Sequence, residues 1–180
     1  MKLLTIGHSN HSMEKFIGLL EANGVLTLVD VRSAPASRYS PHFNKANLER
    51  VLPERGIEYA YAGKYLGGRP ADPSCYKSRV LPPEHTDYLH EVDYPAVMKK
   101  EWFIKGMARL LEMADEQLVA VMCSEEDPAQ CHRHHLIAKY LLQAFPEAQV
   151  FHIRGDGTVF NAASLRVSVA DEPSEQLSLF

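Results

Sequence analysis

VLTLVDV, residues 25–31, is apolar at every position except Thr27 and Asp30. A strand with one wet face alternates apolar and polar residues. One that is apolar on both faces belongs inside a parallel sheet covered by helices on each side. The flanking sequence repeats that theme. LLTI, residues 3–6, is a short apolar run ended by Gly7. Ser12 is placed to cap a helix in which Met13, Phe16, Ile17 and Leu20 fall at i, i+3, i+4 and i+7, one helix face. Asn23-Gly24 stops that helix. Downstream, residues 46–55 read as a helix, IEYAYA (57–62) as a third strand, and residues 94–115 as one long helix carrying Phe103, Met107, Leu110, Leu111 and Ala114 at helical spacing. LVAVM (118–122) reads as a fourth strand, 130–144 as a helix and QVFHI (149–153) as a fifth strand.

The alternation predicts an α/β fold. We expect a single three-layer domain over residues 1–168, with a mostly parallel sheet of about five strands. Residues 66–95 break the rhythm with LGGRPADPS and LPPEH. They predict a long Pro/Gly-rich loop insertion, of the kind that forms a mobile cover over a binding crevice. Residues 169–180 read as a flexible C-terminal tail.

Bulk properties narrow the function classes. Hydrophobic content of 46% and a mean hydropathy of −0.23 describe an ordinary soluble protein. A net charge of −4 argues against coating nucleic acid by bulk charge. A local basic site remains open, because residues 32–69 carry seven basic and three acidic side chains. Cys75, Cys123 and Cys131 form no CxxC pair, which fits a reduced, cytoplasmic setting. The N-terminus lacks a signal-like apolar stretch, and no run is long enough to span a membrane.

The densest chemistry lies in CSEEDPAQCHRHH, residues 123–135. Asp127-Pro128 is a helix start, with Gln130 able to close a capping box. At about 100° per residue, Arg133 falls on the centre of the apolar face, where a guanidinium needs an acid or an anionic ligand. The alternative is an internal pair with an acid such as Asp30. A helix from residue 130 would spread Cys131, His132, His134 and His135 around its circumference, away from Cys123. No zinc spacing is recognisable, so neither metal nor cofactor is expected. A nucleophilic Cys123 stays possible near a helix start, although Glu125, Glu126 and Asp127 oppose a thiolate.

Other polar residues follow the strands. Gly7, His8 and Ser9 come after the first, Asp30 and Arg32 at the end of the second, and Gly67, Gly68 and Arg69 after the third. In open parallel sheets ligands bind outside the carboxyl ends of the strands. His8, Arg32, Arg69 and Arg133 would make that crevice cationic, suited to phosphate, carboxylate or a nucleic-acid backbone. Asp30 or Glu125 could act as general base, with His8 as acid or base.

Four motifs, TIGHSNHSMEKF, DVRSAPASRY with a later HFN, GIEYAYAGKYLGGRP and VMCSEEDPAQCHR with LIAKYL, resemble the domain of unknown function family 488 over roughly residues 3–153. The resemblance implies an α/β fold and no particular reaction. Its motif positions fall on Gly7, His8, Ser9, Asp30, Arg32, Pro35, Ser37, Leu66, Gly67, Gly68, Cys123, Glu125, Cys131, His132 and Arg133. The final pentapeptide, Gln176-Leu177-Ser178-Leu179-Phe180, resembles the motif by which bacterial polymerases and repair proteins bind the sliding clamp. By that resemblance Gln176 would bond at the groove rim while Leu177, Leu179 and Phe180 insert. The leading expectation is a DNA-maintenance accessory protein or enzyme with an anion-binding crevice for DNA or a nucleotide, recruited to the clamp by its tail. The alternatives are a small-molecule enzyme on a phosphorylated or nucleotide-like substrate, or a non-catalytic metal-binding module.

Overall fold

The computed structural model describes residues 1–84 and 86–166 of the chain. The pentapeptide from Gln176 to Phe180 lies outside the described residues. Six strands form one sheet in the order β3-β2-β4-β1-β5-β6. They are β1 (Lys2–Gly7), β2 (Thr27–Asp30), β3 (Glu58–Tyr61), β4 (Val119–Cys123), β5 (Gln149–Ile153) and β6 (Val159–Asn161). The first five pair in parallel, and β6 returns antiparallel on β5. The sequence reading lacked β6 because three residues alternating exposed and half-buried carry too little pattern to register.

Helices cover both faces, as the two-sided apolar strands require. On one face α1 (Met13–Ala22) and α2 (Lys45–Glu54) seat Phe16, Ile17, Leu20, Leu48 and Leu52 against Leu4, Ile6, Leu28, Ala120 and Met122. Each such large side chain contributes about 1.5–3 kcal/mol by leaving water. Ser12 caps α1 by accepting from the Lys15 N–H at 3.2 Å, as its position predicts. The other face carries α6 (Glu101–Glu116) and α7 (Lys139–Ala144), with Phe103, Met107, Leu110, Leu136, Ile137 and Leu141 on Leu3, Val119, Val121 and Val150.

Three elements depart from the sequence reading. The helix expected over 94–115 is two, α5 (Tyr94–Met98) and α6, separated where Lys100 takes an extended ψ of 135°. Lys100 is held there by Asp72, 2.7 Å from its Nζ. Residues 66–95, which follow the short α3 (Gly63–Leu66), are not a bare loop. They carry a 3-10 turn (Pro73–Cys75), a short α4 (Tyr88–Glu91) and a bridge between Tyr76 and Val92. Cys75, Tyr76 and Val92 join the core, so the base of the insertion is packed. The helix expected from residue 130 begins later. Pro128–Gln130 is a 3-10 turn, Cys131 is extended (φ −140°, ψ 139°), and Arg133–Ala138 is π-helical before α7.

The connections fix where a site can form. The chain leaves β1 toward β2 on one side, and leaves β4 toward β5 on the other. β1 and β4 are neighbours, with Gly7 level with Cys123, so the sheet's switch point lies between their carboxyl ends. Gly7 is required there, since a Cβ would collide with the backbone carbonyl of Glu125 crossing above it.

Beneath the π-helix runs a buried polar chain. Thr5 Oγ1 lies 2.7 Å from His152 Nδ1, and His152 Nε2 lies 3.0 Å from His134 Nδ1. Burial, then the neighbouring His134 and the charges of Arg133 and Arg154, pull His152 down from 6.5 to about 3, with Cys131 opposing. A histidine that resists protonation in the fold but not in the unfolded chain contributes stability that is full above about 6.5 and is lost as pH falls below it. Denaturant melts should therefore show stability falling between pH 6.5 and 5, before most carboxylates titrate, by up to about 1.4 kcal/mol per pH unit for this one group. A flat profile down to pH 5 would contradict the buried neutral assignment.

Candidate functional site

The loop of residues 124–127 after β4 roofs the switch point, and it is held from several directions. The His8 N–H donates to the Cys123 carbonyl at 3.0 Å and the Ser9 N–H to the Ser124 carbonyl at 2.9 Å. Ser9 makes this turn with a left-handed φ of 47°. From below, the Arg133 guanidinium donates to the Glu125 carbonyl and, at 2.6 Å, to the Glu126 carbonyl. From the side, Arg154 binds the Glu126 carboxylate at 2.6 and 2.9 Å. Arg133 is fully buried, so its destination is neither Asp30 nor an open crevice but the carbonyls of this loop.

A second buried network closes the end of β2. Asp30 accepts from Arg32 Nε at 2.9 Å, Arg32 Nη2 at 2.6 Å, the Arg32 N–H at 3.1 Å and the Tyr59 hydroxyl at 2.8 Å. Arg32 Nη2 also reaches the Phe43 carbonyl, and Nη1 lies 3.2 Å from His8 Nε2. His8 stacks on Phe43 and donates from Nδ1 to the Ser9 carbonyl at 2.8 Å. Burial outweighs that bond and, with the Arg32 charge, lowers His8 to about 4. At neutral pH it is therefore an acceptor for Arg32. Asp30 and His8, read from the sequence as general base and acid, sit behind Arg32 with their hydrogen-bonding capacity taken up.

In front of these networks opens a cleft of about 690 Å³. Its walls include Ser33, Ser37, Gly68, Arg69, Tyr88, Tyr94 and Glu125, and its floor Cys123, Cys131 and His132. Residues 86–89 of the insertion form one side. Arg69 is exposed, lies over the Tyr88 ring at 4.5 Å and makes no salt bridge among the described residues. Its N–H donates to Ser33 Oγ at 2.9 Å. Gly67 admits the Ser33 side chain, whose Oγ a Cβ would approach to 2.5 Å. Gly68 packs flat on the His132 ring, where a Cβ would lie 2.7 Å from Cγ. Both glycines serve close backbone approach.

The floor is the arrangement that helical periodicity does not foresee. Because Cys131 is extended and the helix starts after it, its side chain returns to Cys123 instead of following a helical face. His132 Nδ1 lies 3.5 Å from Cys123 Sγ and 3.9 Å from Cys131 Sγ. His132 Nε2 lies 3.2 Å from the Val31 carbonyl, which can only accept. In the neutral ring the proton is thus on Nε2, and Nδ1 presents its lone pair to the sulfurs. Burial acts to raise the Cys131 thiol, but the hydrogen bond from Cys123 and the nearby Arg133 charge hold it well below the usual range. Its bond to Cys131, together with burial, pushes the Cys123 thiol well up. Cys131, not Cys123, is thus the thiolate-prone member. Burial and the neighbouring Cys131 raise Glu125 at the cleft wall. The Tyr94 hydroxyl is buried with no hydrogen-bond partner.

The structure thus brings Arg32, Cys123, Glu125, His132, Gly68 and Arg69 to one cleft, with the Arg32 guanidinium paired to Asp30. Gly7, Ser9 and Arg133 shape the roof. Cys131, Tyr94, Ser33 and Ser37 join the site without having been ranked for it, although Cys131 and Ser37 were already motif positions. The available signal was Asp127-Pro128, which marks a tight turn as readily as a helix start.

Fold and site together define an α/β protein with a mostly parallel sheet and a polar, thiol-floored cleft at its carboxyl edge. The chain belongs to the family described as Domain of unknown function DUF488, whose model matches residues 12–141. No curated protein and no solved structure gives a significant match.

Arg133→Ala should destabilise the fold, because it removes a charged donor from two loop carbonyls and leaves a void under the roof. Lost charged hydrogen bonds and cavity formation together put the cost at about 3 kcal/mol or more, read by denaturant unfolding. Unchanged unfolding would mean that the roof does not depend on this guanidinium.

Proposed function

We propose that the cleft binds a phosphate-bearing ligand, a nucleotide or a nucleic-acid end, and that the chain acts in DNA maintenance in the cytoplasm, brought to the sliding clamp by its C-terminal pentapeptide. The observation that carries the ligand reading is Arg69. It is the cleft's exposed guanidinium, stacked on Tyr88 and without an acid partner among the described residues. Beside it, Ser33, Ala34 and Ala36 line the cleft, and their N–H groups have no protein acceptor among the described residues. An Arg, a run of free N–H groups and two serine hydroxyls form a donor-rich wall, the chemistry that selects phosphate oxygens. The volume suits a nucleotide-sized ligand. Arg32 lines the cleft with its charge paired to Asp30, and Arg133 braces the roof without lining the cleft. Among the residues read as catalytic, Cys123 and Glu125 face the cleft, while His8 and Asp30 hold Arg32.

The recruitment reading rests on the sequence of the pentapeptide alone. Burial of Leu179 and Phe180 in a clamp groove would contribute about 1.5–3 kcal/mol each before ordering costs, enough for micromolar affinity. No helix of the described residues is long and apolar enough to cross a membrane, in keeping with a partner in solution.

Two measurements separate the halves of this reading. Titrating pyrophosphate, a nucleoside triphosphate and a short single-stranded oligonucleotide into the full chain should reveal binding by at least one of them, weakened about 10-fold or more in Arg69→Ala with unfolding unchanged. Equal affinity in the variant removes the anion site. Purified clamp should bind the full chain and not a chain ending at Glu175; equal binding by both, or by neither at high micromolar concentration, removes the recruitment reading.

A further inference from the structure

We propose that Cys123, Cys131 and His132 form a zinc site, with three protein ligands on the floor of the cleft and a fourth coordination position open toward it. The inference stands apart from the anion reading, since it uses none of Arg69 or the loop donors.

Geometry is the argument. A zinc ion takes thiolate sulfur at about 2.3 Å and imidazole nitrogen at about 2.0–2.1 Å in a tetrahedral array. Those bond lengths place a ligating nitrogen about 3.6 Å from a ligating sulfur, and two sulfurs about 3.8 Å apart. Here Nδ1 of His132 lies 3.5 and 3.9 Å from the two sulfurs. All three donor atoms fall within 4.8 Å of one another. Two edges of the triangle already match those of a tetrahedral face, and the sulfur–sulfur edge lies within 4.8 Å.

The surroundings are those of a metal ligand set. Ligating histidines generally donate their second nitrogen to a carbonyl or carboxylate, which fixes the ring and leaves the other lone pair for the ion. His132 does this through Nε2 to Val31, and Gly68 lies against the ring and holds its plane. The sulfurs come from two rigid elements, the end of β4 and the extended residue before the π-helix. Two soft thiolates with one imidazole favour zinc over the oxygen-seeking magnesium and calcium. A second, independent feature points the same way. The Tyr94 hydroxyl, on the cleft wall, is buried with no partner in the protein, as expected of a group whose partner is a bound water or ligand. Three protein ligands and an open fourth position are the pattern of zinc that binds a water or substrate, whereas structural zinc is closed by four.

The test uses the full chain, kept reduced and stripped with a chelator. Co(II) and then Zn(II) are titrated in. We expect about one Co(II) per chain, with visible bands of tetrahedral intensity and a thiolate-to-cobalt charge-transfer band, both abolished by Zn(II). Cys131→Ser and His132→Gln should each lose the charge-transfer band or weaken Zn(II) binding at least 10-fold, while Cys75→Ser, outside the cluster, keeps both. The wild-type spectrum decides the matter even if a variant fails to fold. A folded wild-type chain without the charge-transfer band overturns the proposal. So does an undiminished band in folded Cys131→Ser.

Discussion

A buried guanidinium organises this molecule. Arg133 carries a full charge into the interior without a carboxylate to meet it, and directs its donors at the carbonyls of Glu125 and Glu126. Such a placement is costly unless the donors are used. The loop it grips lies across the carboxyl ends of β1 and β4, over a glycine that alone lets backbone pass so close. Once the loop is fixed, its first residue sets Cys123 and its last, Asp127, caps the turn that delivers Cys131 and His132. The cleft floor therefore inherits its geometry from Arg133, although Arg133 does not line the cleft.

The π-helical turn is the structural condition for this. Widening one turn lets Arg133, His134, Leu136, Ile137 and Ala138 all lie buried, a broader inward face than regular α-helix provides. Arg133 then reaches forward to the roof while His134 reaches back into the chain of Thr5 and His152. The two terminal nitrogens of Arg133 and the His134 ring thereby find partners inside the core, while Arg133 Nε has none among the described residues. The Asp30–Arg32–His8 network does the corresponding work one strand away, where a salt bridge, a tyrosine and a stacked imidazole close the end of β2. Positive charge that a linear reading assigns to a crevice is largely spent on holding its walls. What remains for a ligand is Arg69, supplied by the insertion and not by a strand end.

Much of the fold is legible in local pattern. The two-sided apolar runs of β1, β2, β4 and β5 require helices on both faces, and Ser12 caps the helix it precedes. The clustering of polar residues just after strands locates the site's edge. What escaped was whatever depends on a change of period. Cys131 and His132 were read at about 100° per residue from residue 130, whereas a 3-10 turn and an extended residue intervene before the helix. The break before α6 escaped for a similar reason, since Lys100 leaves the helix to meet Asp72, a partner 28 residues away in the chain.

The sequence by itself determined the α/β class, the succession of the main strands along the chain and the edge at which chemistry gathers, because hydrophobic period and strand-end polarity are local properties. Only the tertiary structure decided which polar groups are free. Whether Arg32 binds a ligand or Asp30, and whether Cys131 turns outward or back onto Cys123, depends on partners brought together from distant segments. Burial leaves each buried donor and acceptor to find its match among those partners.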